Sequence, residues 1–366
     1  ADPDHPDLHA LLGAAYLLRG QQHLLPEALK HLKRALQLNP QHATAFCNLV
    51  TALREAGQEE AALKAMREAF RRFPQHPAIL FQLSVLTMLQ GSNENWGKAG
   101  TQFGAIYSRR PDILAALFNE ALCAYVMGLR EAAGKQLQRV IARDEAFAPA
   151  YYLIGMGHAA ANQFDEALAA WQKALKYEPT NVDALANSGF VYFQKEDFRK
   201  AIKCLMQAHQ FLPGHSGLLA ALGLSFARAS MLRQAITAFQ QSLKLNHRSP
   251  ITHSNLGLAY YLFKQVDRAM EQWRIVSQLD SSYAEKREEE QYRTYDTSLV
   301  EIQPLNWPER IIMLAPPLPR PHTRLLPGYN ARAFRPILSD PALQKAAAIK
   351  RELDRQNRLV AAANAR

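Results

Sequence analysis

The 366-residue chain has three cysteines, Cys47, Cys123 and Cys204, with no CxxC and no histidine at zinc-finger spacing. Neither a disulfide framework nor a structural zinc site is expected from them. Free thiols lean toward a reducing compartment, so a cytoplasmic location is expected, with a periplasmic or other exported domain of a longer chain as the alternative. The sequence opens Ala1-Asp-Pro-Asp-His-Pro, without Met or a basic stretch leading into an apolar run. That reads as a removed leader or a piece of a longer polypeptide. No window approaches the roughly 18 uninterrupted apolar residues of a membrane-spanning helix, since even Leu114 to Met127 is broken by Asn119 and Glu120. Catalytic signatures are missing too: there is no GxGxxG after a strand, no GxxxxGK[ST], no HExxH and no GxSxG. No catalytic residue, cofactor or metal ligand is therefore expected.

What is present suits a folded protein: 48% apolar, 21% charged and 9% aromatic residues. Lys and Arg number 43 against 33 Asp and Glu, a net charge of +10. From Asp296 onward eleven Lys or Arg face six Asp or Glu, a balance of +5 in 71 residues. Nucleic acid is conceivable on charge alone. It ranks well below protein as a partner, because basic residues such as Lys64, Arg67, Arg71 and Arg72 read as the exposed side of a helix. Nine of the 20 prolines fall between Pro304 and Pro341, which divides the chain compositionally.

The decisive pattern is a repeat. Alanine returns at Ala28, Ala62, Ala99, Ala133, Ala167, Ala201, Ala235 and Ala269, at intervals of 34, 37, 34, 34, 34, 34 and 34 residues. Proline keeps step twelve residues later at Pro40, Pro74, Pro111, Pro179 and Pro213. A glycine precedes the alanine in five units (Gly13, Gly155, Gly189, Gly223, Gly257), and a bulky apolar residue follows it by four (Leu32, Met66, Phe103, Leu137, Trp171, Leu205, Phe239, Trp273). In the second and fourth units Val50 and Ala121 stand in the glycine place. The 37-residue interval puts three extra residues in the turn near Gly91–Asn95, and Gly20–His23 lengthens the first unit. Turns accept such insertions readily.

This pattern resembles the tetratricopeptide repeat, in which W-x2-L-G-x2-Y, A-x3-F and P recur every 34 residues over two antiparallel helices. The fullest copy is Ala148 to Pro179, with Tyr151, Ile154, Gly155, Ala167, Trp171, Ala174 and Pro179 in order. The resemblance implies an all-α fold: an α-solenoid, a right-handed superhelix of about eight helix hairpins over residues 6–281. Gly and Ala remove bulk where two helices cross closely, the aromatic positions fill between hairpins, and Pro ends the second helix. A polar capping helix is expected over 282–296, because a terminal repeat otherwise exposes the face that inner repeats bury.

The resemblance also implies a concave wall, lined by the first helix of each pair, that receives a peptide or partner protein. The groove positions would be Phe81, Val85 and Met88, then Phe118, Leu122 and Tyr125, then Tyr152 and Met156, Phe190 and Phe193, Leu224, and Leu258 and Tyr261. Chaperone-binding members hold a terminal carboxylate with Lys, Arg and Asn. Here those places carry Ala10, Ala14, Cys47, Thr51, Phe81 and Val85, so that clamp is absent. Asparagine instead recurs at Asn48, Asn119, Asn187 and Asn255. A carboxamide has both a donor and an acceptor, and can hold a peptide backbone without reading its side chains. The alternatives are that these residues bond only to neighbouring turns and that part of the aromatic stripe is inter-repeat core.

From Thr297 the period vanishes. Residues 297–339 form a proline-rich tail that favours extended polyproline geometry, yet Trp307, Ile311, Leu325, Tyr329 and Phe334 call for burial. A run of 35 residues would reach about 110 Å. The tail, Leu305–Phe334 in particular, is expected either to dock on the solenoid itself or to bind another protein. Residues 340–364 read as a final amphipathic helix, capped by Asp340 and basic on one side.

The leading expectation is a non-catalytic scaffold that binds a peptide segment or partner protein in an apolar, Asn-studded groove. A competing class is a permanent subunit of a large complex, membrane-associated or secretory, with any membrane contact made through a partner. A third, the non-catalytic portion of an enzyme or secretion apparatus, depends on residues outside this sequence.

Overall fold

The structure, a computed structural model, describes residues 5–18, 22–89, 92–289 and 292–298. Among the described residues the chain is all-α and no strand occurs. Two compact units divide between Glu145 and Ala146. In the first, four hairpins follow one another: α1 (Pro6–Leu18) with α2 (Leu25–Leu38), α3 (Ala43–Glu55) with α4 (Glu59–Arg72), α5 (Pro77–Leu89) with α6 (Asn93–Arg109), and α7 (Leu114–Val126) with α8 (Arg130–Arg143). In the second, α9 (Ala148–Ala160) pairs with α10 (Phe164–Tyr177), α11 (Val182–Gln194) with α12 (Phe198–Phe211), α13 (Ser216–Arg228) with α14 (Leu232–Leu245), and α15 (Pro250–Leu262) with α16 (Val266–Leu279). A last helix, α17 (Ser281–Glu289), closes that unit.

First and second helices differ in composition because they differ in neighbours. α11 touches its own partner α12, the preceding α10 and the next first helix α13, so every residue from Val182 to Val191 is buried. α4 buries only Ala62, Met66 and Ala69, a single stripe, and leaves its charged side to solvent. The eight period-marking alanines are each at most 1% exposed, at the helix crossings where a larger side chain would separate the pair. Gly155 shows how tight the approach is. A Cβ there would overlap the indole of Trp171, the bulky residue four after Ala167, and Gly257 stands in the same relation to Trp273. Both indoles donate to first-helix carbonyls, Trp171 Nε1 to Tyr152 O at 3.1 Å and Trp273 Nε1 to Ser254 O at 3.3 Å.

Six of the hairpin turns are closed in one way. A residue with φ between 58° and 79° recurs at the repeat interval, at Gly57, Gly128, Asn162, Glu196, Ser230 and Lys264. The following N–H then bonds back five residues, as from Gln163 to His158 O at 2.9 Å, which satisfies a carbonyl at the end of the first helix.

Two expectations meet a different structure. The three extra residues of the third unit do not widen its turn: α6 has 17 residues where the other second helices have 14. Three residues are close to one turn of about 3.6. Ser92 caps the lengthened helix through Asn95 N at 3.1 Å, and Trp96 still lands on the buried side. The helix sought over 282–296 is α17, and residues 292–298 are irregular. Tyr292 takes φ 47° and its N–H bonds to Arg287 O at 2.9 Å, so the chain turns off the helix and its aromatics reach the apolar surface of the last hairpin.

Of the tail only Thr297 and Ser298 are described. The docking segment Leu305–Phe334 and the helix over 340–364 lie outside the described residues. No helix among those described is long and apolar enough to cross a membrane.

Candidate functional site

The first-helix face is built by helices that touch in succession, α1, α3 and α5 in the first unit and α11, α13 and α15 in the second. Its asparagines are buried: Asn48 on α3 is 1% exposed, while Asn119 on α7, Asn187 on α11 and Asn255 on α15 are fully covered. Such groups must be hydrogen-bonded to be tolerated. Asn187 Nδ2 donates to Tyr152 Oη at 3.1 Å and lies 3.5 Å from Met156 Sδ, one repeat upstream.

Asn255 is engaged differently. Its Nδ2 donates to the backbone carbonyl of Asp296 at 2.9 Å, and its Oδ1 accepts from the backbone N–H of Asp296 at 2.7 Å. One carboxamide thus satisfies both main-chain groups of one residue in an extended segment.

Around that contact the chain supplies further holds. Arg287, almost completely buried on α17, donates from Nε to Ser254 Oγ at 3.1 Å and from its guanidinium to the carbonyl of Thr294. The Asp296 carboxylate accepts from Tyr283 Oη at 2.7 Å and from Ser298 N at 2.9 Å. Burial pushes the Asp296 carboxyl upward, but the Ser298 hydroxyl and N–H, the Tyr283 hydroxyl and the Arg287 charge outweigh it and hold the group below the usual range. The Tyr283 phenol is raised, by burial first and by the Asp296 carboxylate second.

The aromatic positions fall into two groups. Phe81 and Phe118 are fully buried, Phe81 edge-on to Phe103 at 5.2 Å between centroids. Tyr152, Phe190 and Phe193 are at most 6% exposed; Phe193 meets Phe198 at 5.5 Å, and both Phe190 and Phe193 belong to the core of the second unit. These side chains pack hairpin on hairpin. Tyr125 is partly buried, with its phenol pushed up by that burial. Tyr261 is half exposed and 6.1 Å from Trp273.

Sequence reasoning passed over two things. Gln82 lies 34 residues after Asn48 and 37 before Asn119, in register with the asparagines, and is 1% exposed; the repeat interval singles it out once glutamine is counted as a carboxamide. The role of 292–298 as an occupant of the Asn255 position carries no sequence signal, since it depends on the turn after α17. Among the described residues no three His, Cys, Asp or Glu converge where a metal could sit.

Helix hairpins repeated at this interval define a helical-repeat protein. Residues 21–80 and 220–273 match the family description "Tetratricopeptide repeat", and residues 158–196 match "TPR repeat". The chain is a tetratricopeptide-repeat protein, and that fold is typically a non-catalytic scaffold for protein interaction. Human protein O-mannosyl-transferase TMTC3 is 29% identical over 203 residues, covering 51% of this chain and 21% of that protein. Anaphase-promoting complex subunit 3 of Schizosaccharomyces pombe is 23% identical over 136 residues, 37% of this chain and 20% of that one. The chain thus spans about a fifth of the length of these relatives. Among solved structures, the APC/C hetero-tetramer Cut9–Hcn1 shares the fold with a TM-score of 0.53 at 19% identity, over 72% of this chain and 52% of that one. YrrB, described as a TPR protein with an unusual peptide-binding site, has a TM-score of 0.47 at 20% identity, over 51% of this chain and 97% of its own.

Proposed function

We propose that this region is a scaffold that binds extended polypeptide along the first helices of each unit, with Asn48 and Asn119 as backbone-holding rungs in the first unit, Gln82 beside them, Asn187 and Asn255 in the second, and the less buried aromatics Tyr125 and Tyr261 as their apolar neighbours. The observation that carries this reading is the two-way bond between the Asn255 carboxamide and the Asp296 main chain. It is the arrangement a sequence-tolerant peptide grip requires: one donor and one acceptor spent on a backbone, with the bound side chain left to its surroundings. The region works by binding rather than by catalysis.

The tail continues the same logic. Asp296 already sits on a rung, and the sequence after Ser298 runs into the apolar, proline-rich stretch Leu305–Phe334, a composition that favours extended backbone with carbonyls open to donors. In this reading the tail lies along the first helices and a partner competes with it.

The test uses two variants of the sequence. In the first, Leu305–Phe334 is deleted, and a labelled synthetic peptide of residues 301–334 is titrated against it. Binding is expected, and it is expected to weaken at least about tenfold when Asn119→Ala, Asn187→Ala and Asn255→Ala are added with helicity intact. Equal affinity with and without the asparagines would remove the groove assignment.

A further inference from the structure

Residues 292–298 are held by contacts of a kind that a protein makes to a ligand. The ring of Tyr292 stacks on Trp273 with centroids 4.5 Å apart and planes 24° apart, and the Arg287 guanidinium lies 5.7 Å from that ring. Tyr295 packs into the apolar cluster that includes Leu256, Ala259 and Tyr260. Between them the Thr294 carbonyl is taken by Arg287, and after them the Asp296 backbone is taken by Asn255. Arg293, Thr294 and Thr297 expose their side chains. The segment is therefore read at three places, two aromatic and one acidic, and elsewhere only by its main chain.

The fit has a defect that points outward. The hydroxyls of Tyr292 and Tyr295 are both buried without a hydrogen-bond partner. Burial also raises both phenols, that of Tyr295 to about 12. A buried hydroxyl that gives up water and gains no partner weakens the contact it sits in. Phenylalanine fills the same two pockets without that penalty.

We propose that the surface formed by Trp273, Arg287, Tyr283, Asn255 and the apolar side of α15 is a peptide-binding site closed in cis by residues 292–298, and that its ligand in trans is an extended segment of another protein reading Phe-x-x-Phe-Asp. The proposal rests on the backbone-holding role given above to Asn255 and on none of the other rungs. The cis segment is a weaker occupant than the external ligand by virtue of its two tyrosines, so a partner with phenylalanine at those positions displaces it.

The experiment takes the full chain with Tyr292→Ala and Tyr295→Ala, which releases the cis segment, and titrates two labelled heptapeptides with blocked ends, Tyr-Arg-Thr-Tyr-Asp-Thr-Ser and Phe-Arg-Thr-Phe-Asp-Thr-Ser. Both are expected to bind this variant at least about tenfold more tightly than they bind the unaltered chain. The phenylalanine peptide is expected to bind tighter than its tyrosine counterpart by about tenfold per hydroxyl removed. Adding Asn255→Ala should abolish capture. If the heptapeptides bind and the 301–334 peptide does not, the general groove reading fails and this site stands. No binding to the folded double variant overturns the proposal, as does a preference for the tyrosine peptide; a concentration-dependent dimer that excludes the peptides overturns it in favour of exchange between copies. Should the double variant lose its last hairpin, Tyr292→Phe with Tyr295→Phe in the full chain decides the matter. The melting temperature is expected to rise, and a fall would refute the account of the pockets.

Discussion

Cys47 and Cys123 are thiols that burial keeps protonated, both pushed up to about 12 from an ordinary value of 9.0. Folding raises these values, so the stability linked to them is complete below pH 9 and is lost as the pH climbs from there toward 12. A thiol reagent at pH 8 should therefore spare both residues in the folded chain and titrate all three cysteines after denaturation; stoichiometric labelling of native Cys47 would contradict this. Backbone strain is a second matter of single residues. Lys264 closes its hairpin at φ 63° with an exposed side chain, in a conformation that Gly57 and Gly128 adopt without steric conflict. Lys264→Gly is expected to raise stability by about 0.5–1 kcal/mol, once the greater freedom of glycine in the unfolded chain is set against the relief of strain. A urea midpoint that falls would show that the turn is not strained.

At the scale of the helix pair, the core runs on from one hairpin to the next within each unit. Leu205 is fully buried beneath Gly189, where a Cβ would come within 2.7 Å of its Cγ. Leu205→Ala should lose about 2–5 kcal/mol. Because hairpins contact mainly their neighbours, hydrogen exchange should accelerate most in α11, α12 and α13 and least in α16. The sequence displayed these pairs clearly, since an alanine and, four residues on, a bulky apolar side chain recur in every unit for a steric reason that does not vary. It displayed the insertion poorly: three residues fit a loop or a helical turn equally well, and the cap provided by Ser92 decided for α6. The aromatic stripe was ambiguous for a related cause. Phe81 and Phe118 lie on first helices that are buried over most of their circumference, and periodicity alone does not separate a wall from a core.

Over the whole chain, the repeat and its all-α architecture were legible because every unit repeats the same packing problem, whereas the contact between Asn255 and Asp296 was not. It joins residues 41 apart through a turn whose geometry no motif encodes. That contact is nonetheless the place where the molecule displays the chemistry assigned to its first helices. The most direct measurement is hydrogen exchange at the Asp296 amide, compared between the unaltered chain and Asn255→Ala. If a carboxamide rung holds extended backbone, that amide is protected and the substitution raises its exchange toward the rate of an open segment, with α15 and α16 still protected. An Asp296 amide that exchanges at the same rate with and without the Asn255 side chain would contradict the account.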